Sequence, residues 1–241
     1  MSDKVVYQGK DLEAMSFAIN YHKWIIDEFR PFLGKDIVEV GAGTGDFSML
    51  LLEEKPNSLS LVEPSEMFEI LQVKIAEKPN GTKIRKFDSI FANIAEVIKI
   101  EQKPDSIIYV NVMEHIEDDK KELKIIHETL APNGRVFIFV PALKFLYGEF
   151  DKKIGHFRRY TKPELVEKVE ETGFEILQVK YFDILGIAPW FIKYQLLRSS
   201  SLESSAVEVY DKFVVPFAKK FESFSTPMIG KNILLIAQKP R

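Results

Sequence analysis

The run Val38-Glu39-Val40-Gly41-Ala42-Gly43-Thr44-Gly45 constrains this chain more than any other part of it. Asp36–Val40 reads as a short buried strand, and Asp46-Phe47-Ser48-Met49-Leu50-Leu51 reads as the opening of a helix. Glycines at every second position join the two. Without Cβ atoms the backbone can turn sharply there and approach a ligand closely. The following helix N-terminus then offers free N–H groups to an anionic part of that ligand.

The spacing separates this loop from two familiar ones. The dinucleotide fingerprint G-x-G-x-x-G, counted from Gly41, puts its third glycine at Asp46, a charged residue poorly suited to a pyrophosphate. No Gly-Lys-Ser/Thr follows, so the loop is not a P-loop. What remains is acid-x-G-x-G-x-G, with Glu39 two residues ahead of the first glycine.

The rest of the chain supplies a sheet for that loop. Strand-like runs recur at 37–40, 59–62, 83–87, 106–110, 135–140, 175–182 and 232–238. Helical patterns fill most of the gaps, including 15–29, 67–78, 118–130 and 163–172. Thr161 is an expected N-cap and Gly173 an expected stop. Such alternation predicts an α/β fold with helices on both faces of a mostly parallel sheet. Ligands then bind outside the carboxyl ends of the strands, which selects Gly41–Gly45, Glu63, Asp88 and the residues from Asn111 onward.

Composition excludes several classes of function. The 241 residues suit one domain with an appended part. A net charge of −3 gives no electrostatic case for nucleic acid. Cysteine is absent, which removes disulfides, cysteine zinc sites and thiol nucleophiles. The histidines show no metal-ligand spacing with nearby acids, so no metal is expected. The start Met-Ser-Asp-Lys-Val-Val lacks a signal-peptide core, and no stretch has the length of a membrane span, so a cytoplasmic location is expected.

The glycine loop, together with the downstream features in their order over residues 20 to 182, resembles the class I S-adenosylmethionine-dependent methyltransferases. The narrower likeness is to small bacterial or archaeal members found beside glycosyltransferases. The resemblance implies a Rossmann-like, seven-stranded, three-layer α/β/α domain with an antiparallel last strand. It implies S-adenosylmethionine as cofactor and S-adenosylhomocysteine as product. Glu39, Gly41, Ala42, Gly43, Thr44 and Gly45 would form its loop. Glu63, followed by Pro64, can accept both ribose hydroxyls, and charged acceptors make the stronger bonds. Asp88 would take the adenine amine, with Ser89 or Ile90 beside the ring, while Asn111 and Val112 would line the methionine end. Tyr21 sits on the helix expected to cover the cofactor.

The acceptor side is expected elsewhere, chiefly on the segment 148–161 after the fifth strand, which reads as a loop because it is rich in functional groups and poor in apolar periodicity. His115, in Glu114-His115-Ile116, and His156, in Gly155-His156-Phe157-Arg158-Arg159-Tyr160-Thr161, are the candidate bases. Arg158, Arg159 and Tyr160 are the expected substrate-binding residues, since two arginines can hold a phosphate or carboxylate by forked hydrogen bonds. Residues 1–30 are expected to form a helical cover. Residues 183–231 form an aromatic-rich insertion between the last two strands, read as a cap, a dimer surface or a membrane-facing patch. The predicted activity is methyl transfer to a small-molecule hydroxyl on a sugar, a lipid-linked intermediate or a polyketide-like metabolite. A cofactor-binding scaffold without catalysis and a nicotinamide-dependent oxidoreductase are the alternatives.

Overall fold

The computed structural model describes residues 18–76, 81–199, 201 and 203–241. Seven strands form one sheet: β1 (Asp36–Val40), β2 (Ser58–Val62), β3 (Lys83–Phe87), β4 (Ser106–Val110), β5 (Arg135–Pro141), β6 (Glu175–Phe182) and β7 (Asn232–Gln238). Their order is β3-β2-β1-β4-β5-β7-β6. The first five run parallel, and β7 lies antiparallel to both β5 and β6. Strand order reverses between β1 and β4, the switch point at which open α/β sheets bind ligands.

Alternation along the strands builds the layers. On β1, Ile37 faces one apolar cluster and Val38 and Val40 face the other. Helices α1 (Ile19–Phe29), α2 (Asp46–Glu53) and α3 (Met67–Ala76) cover the first face through Trp24, Ile25, Phe29, Phe47, Leu51, Leu71 and Ile75. Helices α4 (Phe91–Glu101), α5 (Asp119–Thr129) and α7 (Lys162–Glu170) cover the second through Phe91, Ile98, Leu123, Ile126, Leu165 and Val169. The three-layer expectation is therefore met. Thr161 caps α7 by accepting from Glu164 N at 3.4 Å, as its sequence position predicts. Residues 1–17 of the expected helical cover and 77–78 of the expected helix 67–78 lie outside the described residues.

One local expectation is corrected. The segment 148–161 reads as a loop, yet Glu149–Lys153 forms a short helix, α6. Asp151 folds back to accept from Gly148 N at 3.1 Å, so it closes the first turn where the apolar pattern is too sparse to announce a helix.

The insertion holds α8 (Ile187–Trp190), which runs on as a π-helical stretch Phe191–Leu196, then α9 (Ser204–Val209), a second π-helical stretch Tyr210–Val214, and α10 (Val215–Phe224). Three buried carboxylates order it, and the first of them ties it to α1. Asp211 accepts from Tyr21 N at 2.8 Å and Asn20 N at 3.0 Å, which satisfies first-turn donors of α1 where Ala18 offers no side-chain cap. Glu222 accepts from Ile184 N at 2.8 Å. Asp183 pairs with Lys231 at 2.9 Å and accepts from Tyr210 OH at 2.5 Å. The aromatic residues divide. Trp190, Tyr194 and Tyr210 turn inward, whereas Phe213, Phe217, Phe221 and Phe224 are exposed along α10 and the stretch before it. Among the described residues no helix is long and apolar enough to cross a membrane.

Candidate functional site

The glycine loop lies at the carboxyl end of β1. Gly41, Gly43 and Gly45 have φ of 72°, 54° and 87°, a region that residues with a Cβ enter at a cost. Their surroundings differ. A Cβ on Gly41 would meet Val112 Cγ2 at 2.3 Å, and one on Gly45 would meet Leu71 Cδ1 at 2.8 Å. A Cβ on Gly43 would meet nothing within 4 Å. Gly41 and Gly45 are thus closely packed, while Gly43 faces open space on the side a ligand would approach. Gly41 N and Ala42 N both donate to Val62 O, at 2.8 and 3.1 Å, which fixes the loop on β2.

Two carboxylates back this loop. Glu63 is buried at the end of β2 and accepts from Gly43 N at 2.7 Å and Ser65 N at 2.9 Å. Each carboxylate oxygen keeps a lone pair for a further donor such as a ribose hydroxyl. Glu39 is buried beneath the loop and accepts from Ser48 Oγ at 2.5 Å. Burial pushes its carboxyl up to about 8, with Glu63 and Asp46 adding to the rise and the Ser48 bond opposing it. Thr44 is turned inward along the chain, donating to Asp46 Oδ2 at 2.6 Å, and Asp46 pairs with Lys74 at 2.8 Å. Pro64 and Ser89 are half-buried and Asp88 is exposed, one strand further along the same sheet edge. Asp88 therefore stands open to solvent at the end of β3.

The end of β4 faces that of β1 across the switch point and has the end of β5 on its other side. Asn111 takes a φ of 54° and donates its N–H to Phe139 O at 2.8 Å. Val112 then packs against Gly41, and Met113–His115 make a single 3-10 turn. A backbone bond from Phe157 N to Glu114 O at 2.8 Å draws the 148–161 segment alongside. The result is a cluster of Glu114, His115 and His156. The two imidazoles meet edge to face with centroids 4.6 Å apart. His156 Nε2 lies 3.8 Å from Glu114 Oε1, and its Nδ1 lies 3.0 Å from Asp151 Oδ1.

Electrostatics in the cluster are uneven. Burial pushes the Glu114 carboxyl up to about 7, although His156 and Arg159 pull against it. Burial, then the neighbouring His156, pushes His115 down to about 3, so it is neutral at pH 7. Burial would raise Asp151, but His156 and Arg159 outweigh it and hold the carboxyl below its ordinary value. Asp151 is therefore the fixed negative charge, and Glu114 titrates near neutrality.

This cluster lines a cavity of about 290 Å³. Its remaining wall includes Tyr21, Asn111, Phe150, Trp190, Tyr194 and Tyr210. Tyr21 donates from its hydroxyl to Asn232 Oδ1 at 3.1 Å, and burial raises its phenol above the ordinary range. The structure thus places Tyr21 between the cavity and the core of the α1 face.

The expected substrate-binding residues part company. Arg159 lines the cavity, with its guanidinium bonded to Asp151 Oδ1 at 2.8 Å and lying 4.9 Å from the Trp190 ring centroid. Arg158 and Tyr160 are placed elsewhere. Tyr160 is fully buried and donates to Asp119 Oδ2 at 2.9 Å, and Arg158 pairs with the same carboxylate at 2.9 Å and donates to the carbonyls of Ile116 and Glu117. The residues alternate about an extended backbone, so only the middle one points into the cavity. Glu114 and Asp151 join the site although the sequence pattern does not single them out. The signal was available in Asp151-x-x-x-x-His156, an acid on the first turn of a short helix and a histidine just past its end.

A family model described as a methyltransferase domain matches residues 20–179. A probable polyketide synthase 27 of Dictyostelium discoideum is 30% identical over 156 residues, which is 56% of this chain and 6% of that protein. The chain therefore spans a small fraction of that curated relative. A solved S-adenosylmethionine-dependent methyltransferase from Archaeoglobus fulgidus superposes with a TM-score of 0.62 at 16% identity, covering 95% of this chain and 98% of the other. A mycolic acid cyclopropane synthase solved with SAH and CTAB superposes with a TM-score of 0.59 at 18% identity, covering 89% and 82%. At these identities the likeness to the solved structures is one of fold.

Proposed function

The chain belongs to the methyltransferase-domain family, and we propose that it transfers a methyl group from S-adenosylmethionine to a hydroxyl of a small, largely apolar acceptor. The observation that carries this reading is the placement of two groups of residues along one edge of the sheet. The open side of Gly43 with Glu63 and Asp88 lies on one part of the sheet edge, and the aromatic cavity with its titratable cluster lies on the next. Family membership sets aside the nicotinamide-dependent alternative.

Bound S-adenosylmethionine would supply an already electrophilic methyl group. The chain's own work is then placement, to bring an acceptor oxygen within about 3 Å of that methyl. Gly43 leaves room at the loop, and Glu63 offers lone pairs to a ribose. Asp88 is free to meet an exocyclic amine, with Ser89 next to it. Trp190, Tyr194, Tyr210 and Phe150 give the acceptor an apolar bed, at the small end of the range of about 300–1,000 Å³ for ligand cavities. The acceptor's proton leaves toward the Glu114–His156 pair. His156 is the member held in place from behind by Asp151, and Glu114, pushed up to about 7, is matched to exchange protons at neutral pH.

Acceptors to be screened are sugars, lipid-linked intermediates and polyketide-like hydroxyl compounds, the last class suggested by the names of the Dictyostelium relatives. Calorimetry with S-adenosylmethionine and S-adenosylhomocysteine tests the cofactor, and labelled methyl transfer across that panel tests the reaction. Absence of binding by both nucleosides overturns the proposal. Binding without transfer to any hydroxyl acceptor would favour the non-catalytic scaffold.

A further inference from the structure

We infer that Glu114, His115 and His156 form a binding site for one divalent transition-metal ion in the wall of the cavity. One donor atom from each residue lies within 4.8 Å of those of the other two. Donors held at about 2.0–2.2 Å from a common ion in tetrahedral geometry stand about 3.3–3.6 Å apart. The widest pair therefore needs to close by about 1–1.5 Å, a side-chain adjustment that leaves the backbone in place.

The second observation is independent of that spacing. Glu114 is fully buried, and neither of its carboxylate oxygens has a hydrogen-bond partner. A buried carboxylate left unpaired is costly, and buried charges elsewhere in proteins are paired or bind metals. A dication between Glu114 and the imidazoles supplies the missing partner.

The surroundings complete a ligand shell. Metal-bound histidines commonly give their second ring nitrogen to a carboxylate or a backbone carbonyl. His156 has Asp151 at 3.0 Å on Nδ1, which leaves Nε2 turned toward Glu114. His115 is hydrogen-bonded to the Gly155 backbone. Asp151 is itself fixed by Arg159 at 2.8 Å and by Gly148 N at 3.1 Å. Two imidazoles and one carboxylate suit zinc, iron(II), cobalt(II) or manganese(II), with coordination positions left open. All three residues line the cavity, so those positions face it.

The site stands on these side chains alone. Its use, to hold an acceptor oxygen, rests on the proposed function. An ion on Nε2 takes the lone pair that would otherwise receive the acceptor's proton, so coordination would instead lower the hydroxyl's pKa and its proton would pass to water.

The test uses the full, untagged chain after chelator stripping. Cobalt(II) titration, followed by visible absorption and by calorimetry, should give one ion per chain with a micromolar or tighter dissociation constant. Glu114→Gln, His115→Gln and His156→Gln should each weaken binding at least tenfold, and His127→Gln should not. Circular dichroism identifies folded variants, and any one of the three that folds is sufficient. No saturable one-to-one binding, or binding undiminished in the folded variants, overturns the inference. S-adenosylmethionine calorimetry on the same sample separates the two claims. Nucleoside binding without cobalt binding sinks the metal site alone, and cobalt binding without nucleoside binding sinks the proposed function alone.

Discussion

Gly43→Ala separates the two tasks of the glycine loop, because the structure assigns Gly43 no packing role. Its φ of 54° makes an added Cβ cost about 1–2 kcal/mol in strain, and nothing within 4 Å adds a clash. For a chain of this size that corresponds to a fall in melting temperature of about 2–8 °C. The added methyl, however, occupies the space in front of the loop. Affinity for S-adenosylmethionine should fall at least tenfold, about 1.4 kcal/mol or more. Gly41→Ala has the same backbone strain plus a Cβ 2.3 Å from Val112 Cγ2, so about 1–3 kcal/mol of overpacking is added. It should lose more stability than Gly43→Ala. Gly81→Ala is the control, with φ 89° and nothing within 4 Å, on the loop before β3. It should show the strain and no change in affinity. Urea melts and calorimetry in one buffer give both quantities. If Gly43→Ala binds the nucleoside like the parent chain while Gly81→Ala matches it in stability, the ligand does not lie on that side of the loop.

Three further outcomes follow from the same geometry. Glu63→Gln keeps the shape but removes the charge that Gly43 N and Ser65 N share with the ligand, so nucleoside affinity should fall about tenfold by calorimetry; an unchanged value removes Glu63 from the site. Glu39→Gln should flatten the pH dependence of stability. Below about 4.5 both states hold the Glu39 proton; between there and about 8 only the folded state keeps it, so stability falls as pH rises, by up to roughly 1.4 kcal/mol per unit. Urea melts at pH 5.5, 6.5 and 7.5 should show a shallower slope in the variant, and parallel slopes would contradict a protonated Glu39. Asp211→Ala removes the acceptor for Asn20 N and Tyr21 N and should cost about 1–2 kcal/mol, read by urea melts; a neutral result would mean that the insertion does not hold α1.

The central strands β1, β2, β4, β5 and β7 were legible in the sequence because they are buried on both faces, so each appears as a largely apolar run, whereas the edge strands β3 and β6 are partly exposed and mix charged with apolar residues. The loop was legible because three positive-φ positions demand glycine, and glycine is visible as a letter. Side-chain commitments were not visible in this way. Arg158, Arg159 and Tyr160 read as one polar motif, but backbone alternation sends Arg158 and Tyr160 to Asp119 and Arg159 to Asp151. The insertion's aromatic residues likewise read as one surface, and the helical period divides them into a cavity wall and an exposed stripe.

The histidine pair shows where sequence spacing stops being a guide. His115 and His156 are remote along the chain, and no ligand-like interval connects either to an acid except Glu114 beside His115. Their meeting follows from topology instead. Strands β4 and β5 are parallel neighbours, so the segments after them leave the same edge of the sheet side by side. The bond from Phe157 N to Glu114 O then sets the register of the two segments. Asp151 is brought within reach of His156 by the short helix that the apolar pattern failed to announce. Once β4–β5 adjacency is granted, Glu114, His115 and His156 become candidates for one site whatever their separation in sequence. The unpaired oxygens of Glu114 then point to an ion as the missing partner, and cobalt titration of the folded variants decides it.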